Sequence, residues 1–145
     1  MAIRLPEDVR NLFEARNWAY LATLMPDGSP QVTPVWVDVE GEHILVNTTE
    51  GFRKERNMRR DPRVTITVAS AENPETYAQV RGSVVEVGYR GAEGHIDKLA
   101  KKYLGKDCHP WREPEACRVI LRIQPEKIYV QIYDPERDHH DIRSI

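Results

Sequence analysis

Between Ala19 and Val68 the chain runs through three β-like stretches divided by two tight turns, then a basic stretch, then a fourth β-like stretch. The turns are Pro26-Asp27-Gly28 and Glu40-Gly41-Glu42, each with a glycine free to take positive φ. Short strands joined by such turns fold back on their neighbours as hairpins, so this segment commits the chain to antiparallel sheet.

The flanking sequence adds three helices and further strands. Pro6 to Arg16 predicts a helix, with Pro6 at its first position, Glu7 and Asp8 near the positive end of its dipole, and Val9, Leu12 and Phe13 as its apolar face. Strands are expected at Trp18 to Leu24, Gln31 to Val39 and His43 to Thr48. A helix over Gly51 to Arg60 is stopped by Asp61-Pro62. Arg63 to Ala69 alternates Val64, Ile66 and Val68 with Thr65 and Thr67, and Tyr77 to Val87 is a strand in which Gly82 marks a bulge or bend. Ala92 to Leu104 carries Ile96, Leu99, Ala100 and Tyr103 at helical spacing, and Cys117 to Ile123 and Lys127 to Ile132 read as two more strands. The tail from Asp134 is too polar to assign. Mostly hairpin-linked strands with accessory helices predict a mainly β (α+β) fold, an antiparallel β-barrel, in one domain spanning residues 1–145. Strand and helix do not alternate regularly and no dinucleotide-binding glycine motif occurs, which argues against a Rossmann fold.

Charged residues are 30% of the chain, yet the formal net charge is −2, so no global positive field is present to hold nucleic acid. Cys108 and Cys117 are too few for a disulfide framework and are not spaced as a zinc pair. Cys108-His109, His139-His140 and Asp141 lack a companion CxxC or helix-borne His pair, so no metal site is expected. Ser29, Ser70 and Ser83 lack a nucleophile-elbow context, and no catalytic acid or base stands out. The N-terminal residues form no apolar signal core, and no run is long enough to span a bilayer, so the expected location is the cytoplasm.

One chemistry is favoured. From Gly51 to Arg63 there are six basic residues against Glu55 and Asp61. Thr48, Thr49 and the free backbone N–H groups of a helix opening at Gly51 would converge where Arg53, Lys54 and Arg56 begin, a setting suited to a phosphate. Residues two apart on a helix point to different faces, so only part of the cluster can take part. Gln31, Thr33 and Asn47 offer amides and a hydroxyl on neighbouring strands, and Trp36 and Tyr77 offer aromatic surface, the mixture that a flat ring needs.

The stretches ATLMPDGSPQVTPVWV, ILVNTTEGFRKERNMRRDPRV and YAQVRGSVVEV together resemble the pyridoxamine-phosphate-oxidase-like split β-barrel proteins, and within them the flavin/deazaflavin oxidoreductases of the B group. The resemblance implies a split antiparallel barrel of the FMN-binding type and a homodimer with cofactor sites at the subunit interface. It also implies hydride transfer between coenzyme F-420, or alternatively FMN, and a small conjugated substrate. By the same resemblance Gln31, Val32, Thr33 and Pro34 line one side of the ring, and Val46, Asn47 and Thr48 line the adjacent strand. Lys54, with Arg53 or Arg56, meets phosphate, and Tyr77 reaches the ring from the second subunit. Phe52 departs from the pattern, standing where similar proteins can carry a basic residue. A non-catalytic carrier of flavin or haem is the alternative of a different class.

Overall fold

The computed structural model describes residues 3–145. In chain order these form α1 (Glu7–Glu14), β1 (Ala19–Leu24), β2 (Pro30–Val35), β3 (Val37–Glu40), β4 (His43–Thr49), α2 (Arg53–Arg60), β5 (Arg63–Ala69), β6 (Tyr77–Gly88), α3 (Ala92–Leu104), β7 (Arg118–Asp134) and β8 (His139–Ser144). All strand pairs are antiparallel, as the hairpin turns require. Val9, Leu12 and Phe13 of α1 are buried, and in β5 Val64, Ile66 and Val68 point into the core while Thr65 and Thr67 do not. A second, smaller cluster joins Ile96, Leu99 and Tyr103 of α3 to Trp36.

The expected split barrel is not formed. The strands make one sheet in the order β2-β1-β5-β6-β7-β4-β3, with β8 attached to β7, and the path is open: β2 and β3 lie at its two ends. The reason lies in the chain itself. The expected single strand from Gln31 to Val39 divides at Trp36, the one residue between β2 and β3, and a hairpin reversal needs a loop of at least about two residues. β2 therefore runs into β3 end to end, and the two cannot pair side by side to close the sheet.

Two strands expected around Gln124-Pro125 are instead one, the 17-residue β7. Pro125 cannot donate to a ladder, but it sits opposite Gly82, where the β6–β7 register shifts. Gly82 is required there because a Cβ would lie 2.1 Å from the Gln124 carbonyl oxygen. The bulge absorbs the proline, and β7 continues. Its other edge is shared: residues 118–123 pair with β4 and residues 129–134 with β8, the strand formed by the polar tail. Helix α2 starts at Arg53 rather than Gly51, since Gly51 takes φ 91° and stands outside the helix.

Candidate functional site

The β4–β7 ladder sets Arg118 opposite Thr49. From there the Arg118 guanidinium donates to Thr49 Oγ1 at 2.9 Å and to Asn47 Oδ1 at 2.8 Å, and its free edge borders a cleft of about 210 Å³. Asn47 and Thr48 of β4 form one wall, with Pro34, Val35 and Trp36 from the end of β2 beside them. Phe52 and Lys54 close the cleft at the head of α2, and Ile96 of α3 closes it from below. Trp18, His109 and Trp111 complete an aromatic rim.

That rim is ordered by contacts among its own rings. Trp36 lies 6.1 Å from Trp18, 6.0 Å from His109 and 6.4 Å from Trp111, measured between ring centroids. The segment bearing His109 and Trp111 is tied to α3: the His109 backbone N–H donates to Asp97 Oδ1 at 2.9 Å, and Arg112 pairs with Asp97 and, at 3.5 Å, with Glu93. Trp111 nevertheless stays 65% exposed, a large apolar surface at the mouth of the cleft.

The electrostatics favour an anion. Burial and the neighbouring Arg118 charge hold the Lys54 ammonium below the usual lysine range. Burial also lowers Arg118, with the Glu93 carboxylate acting against it and Arg112 with it, and burial with Arg118 and Arg112 lowers His109 against the pull of Asp97 and Glu93. Each group is pressed to shed positive charge, and a bound anion would relieve all three. Among the described residues neither Lys54 nor Arg118 forms an ion pair with a carboxylate; Lys54 has the Phe52 ring 6.0 Å away, and Arg118 has its two neutral acceptors. A larger hollow of about 410 Å³ beside Arg63, Arg81 and Lys127 differs in that Arg63 is held by Asp61 and Glu126 lines the same wall.

Of the residues singled out in the sequence, Pro34, Asn47, Thr48 and Lys54 meet in the cleft, and Thr49 lies just behind, holding Arg118. Thr33 is partly buried on β2 with its hydroxyl unpartnered. Gln31 and the exposed Val32 lie farther along β2, with Gln31 Oε1 3.5 Å from the Thr23 hydroxyl. Val46 packs fully into the core. Arg53 and Arg56 belong to α2 but do not border the cleft, and Tyr77 lines a separate hollow with Thr67 and Gln131. Two backbone donors just ahead of α2 are used internally: Gly51 N–H donates to Glu55 Oε1 at 2.8 Å and Phe52 N–H to the Thr49 carbonyl at 3.1 Å. Arg118, Trp18 and Trp111 were not legible as site residues. The available signal was a charged residue heading an otherwise apolar strand, RVILRI, and a tryptophan in a polar loop.

Among the described residues no group of three or more His, Cys, Asp or Glu side chains is arranged to hold a metal, and no helix is long and apolar enough to cross a membrane.

The fold is shared with known proteins. The sequence model of the pyridoxamine 5'-phosphate oxidase family matches residues 5–132, and the chain belongs to that family. Among solved structures it is similar to an F-420 reductase at 32% identity and a TM-score of 0.74, over 86% of this chain and 98% of that one. General stress protein 26 from Bacillus anthracis shares the fold at 17% identity and a TM-score of 0.63, over 86% of this chain and 91% of that one. HupZ of Group A Streptococcus does so at 15% and 0.63, over 87% and 93%. No curated protein matches the chain significantly.

Proposed function

We propose that this chain is a flavin-type oxidoreductase that holds a phosphate-bearing, ring-shaped cofactor in the cleft between β2, β4, α2 and the 105–117 loop. The observation that carries the reading is the pair Lys54 and Arg118, two half-buried cations bordering one aromatic cleft without a carboxylate partner among the described residues. Such a pair matches a phosphate by charge and by donors. The cleft wall also fits the ring of such a cofactor: Trp36 Nε1 is buried and lacks a hydrogen-bond partner, and a heterocycle edge supplies an acceptor for it. When bound, such a cofactor supplies hydride transfer; the protein supplies orientation and a dry site.

In this reading Lys54 and Arg118 bind the phosphate, and Asn47 and Thr49 hold Arg118 in place. Trp36 walls the ring, and Trp18 and Trp111 exclude water from its exposed side. FMN is the first choice, since its single phosphate matches two cations. Coenzyme F-420 is the second reading, favoured by the 32% identity to an F-420 reductase. Single-domain organisation and a homodimer belong to the same proposal. Tyr20 and Val32, 50% and 57% exposed on adjoining strands, give a second copy apolar surface to cover, and Tyr77 would then serve the partner's site. The acceptor is a small conjugated molecule able to enter past Trp111.

Titration of FMN, riboflavin and F-420, followed by turnover with the reduced form of whichever binds, tests the proposal. FMN should bind at least about tenfold more tightly than riboflavin, the difference expected of one or two charge-assisted hydrogen bonds to phosphate. Lys54→Ala should abolish most of that difference. Equal affinity for FMN and riboflavin together with no F-420 binding would overturn the proposal, tighter F-420 than FMN would promote the second reading, and binding without turnover would make the chain a carrier.

A further inference from the structure

Behind Arg118 a file of side chains leads from the cleft to a buried carboxylate. Arg118 Nε–H donates to Asn47 Oδ1 at 2.8 Å. The amide nitrogen of Asn47 donates to the Ala92 carbonyl at 2.8 Å and lies 3.1 Å from His95 Nδ1. His95 Nε2 faces Asp38 Oδ2 at 3.4 Å, and the same oxygen accepts from Lys98 Nζ at 2.9 Å. Asp38 and His95 are both buried, and four elements contribute: β3, α3, β4 and β7.

The donors and acceptors leave one arrangement. A guanidinium only donates and a backbone carbonyl only accepts, so Asn47 must turn Oδ1 to Arg118 and its NH₂ to Ala92 and His95. His95 Nδ1 must then accept, which puts the imidazole proton on Nε2, toward the Asp38 carboxylate. Asp38 is kept ionised, its carboxyl held below the usual range against its burial by the imidazole 3.4 Å away and by hydrogen bonds from Lys98 and the Val39 N–H.

We infer that Asp38 and His95 are positioning residues for the anion site: by fixing the His95 tautomer they lock the Asn47 amide, and the locked amide aims Arg118 into the cleft. The inference rests on the proposed role of Arg118 toward phosphate. It also defines what a second proton on the imidazole does. With Nδ1 protonated, an N–H meets the Asn47 NH₂, and turning the amide to relieve that contact would set its NH₂ against Arg118 and its oxygen against the Ala92 carbonyl. A protonated His95 and a seated Arg118 therefore exclude one another. The charged groups facing the imidazole are Asp38 from β3, Lys98 from its own helix and, across Asn47, Arg118 from β7.

Two readouts test the relay. In the ligand-free protein, heteronuclear NMR of arginine side chains, with Arg118→Lys to assign the signal, should show a slowly exchanging Arg118 Nε–H. That protection should be lost in His95→Leu and kept in His95→Asn, whose Oδ1 replaces Nδ1 as the acceptor for Asn47. In binding, the preference for FMN over riboflavin should fall about tenfold in His95→Leu, with riboflavin affinity unchanged, and stay within about twofold of the parent in His95→Asn. Unchanged Nε–H protection in His95→Leu, or equal losses of FMN and riboflavin binding, would overturn the relay. If the Nε–H pattern holds but the parent shows no preference for FMN, the relay stands and the phosphate reading falls.

Discussion

Tyr103 stacks on Trp36 with ring centroids 5.4 Å apart and planes 5° from parallel, so helix α3 grips the residue at which β2 passes into β3. Its hydroxyl also accepts from the Val37 N–H at 3.2 Å and donates to the Asn17 carbonyl at 2.6 Å. One side chain thus supports the rear of the cleft and ties α3 to the sheet.

Tyr103→Phe should keep the stacking and lose both hydrogen bonds. Leaving a buried N–H and a buried C=O short of a partner should cost about 1–3 kcal/mol, read from the urea midpoint at constant slope. Burial pushes the Tyr103 phenol up to about 12. Between about pH 10 and that value the folded chain holds a proton that the unfolded chain has lost, so this residue makes stability fall as pH rises there. The parent should show that alkaline loss, and Tyr103→Phe should lack it.

Lys102 titrates in the opposite sense. Burial lowers its ammonium to about 8, although Asp38 and Glu14 act to raise it. Its Nζ donates to the carbonyls of Phe13 and Val37, each at 2.7 Å, and a neutral amine still has two N–H groups for them. From about pH 8 to about 10.4, the unperturbed lysine value, the unfolded chain binds the extra proton, and this residue's contribution to stability should rise with pH. NMR titration of the lysine side chains checks it: one signal should move with a midpoint near 8 and disappear in Lys102→Met.

Two glycines should respond oppositely to alanine. Gly82→Ala puts a methyl group 2.1 Å from the Gln124 carbonyl oxygen, backbone that cannot move without breaking the β6–β7 ladder, and should destabilise by about 2 kcal/mol or more. Gly94 is exposed within α3, and a Cβ there meets nothing within 4 Å, so Gly94→Ala should stabilise by about 0.5–1 kcal/mol. Thermal melts of the two variants beside the parent decide both.

Glu55 is buried, accepts from the Gly51 N–H and pairs with Arg59, bonds that hold its carboxyl below the usual range despite burial. Glu55→Ala should cost about 1–2 kcal/mol at neutral pH by freeing the turn that leads into α2. A depressed carboxylate contributes stability above its unfolded pKa and loses it as pH falls through the folded value, so the difference between parent and variant should shrink in acid. Chemical denaturation at neutral and acidic pH measures that convergence.

The local chemistry was legible in the residues themselves. β5 and α3 begin and end where alternation and helical spacing place them, and Gly82 sits at a register shift as a glycine inside a strand suggests. Thr48, Thr49 and the cations from Arg53 onward could be read together as a setting for an anion, and the family resemblance singled out Lys54, which borders the cleft. Decisions that depend on which strands lie side by side were not legible. The open sheet follows from the break at Trp36, the continuity of β7 through Pro125 from the bulge that β6 offers it, and β8 from an exposed edge of β7 left over beyond β4. The site divides in the same way: Lys54 lies five residues from Thr49 along the chain, but Arg118 reaches Thr49 only through the β4–β7 ladder, and Trp18 and Trp111 join through ring contacts with Trp36. Spacing along a chain encodes turns and faces because these arise from bonded neighbours. Partners more than sixty residues apart are chosen by the combined burial of many side chains, which no single stretch of sequence contains.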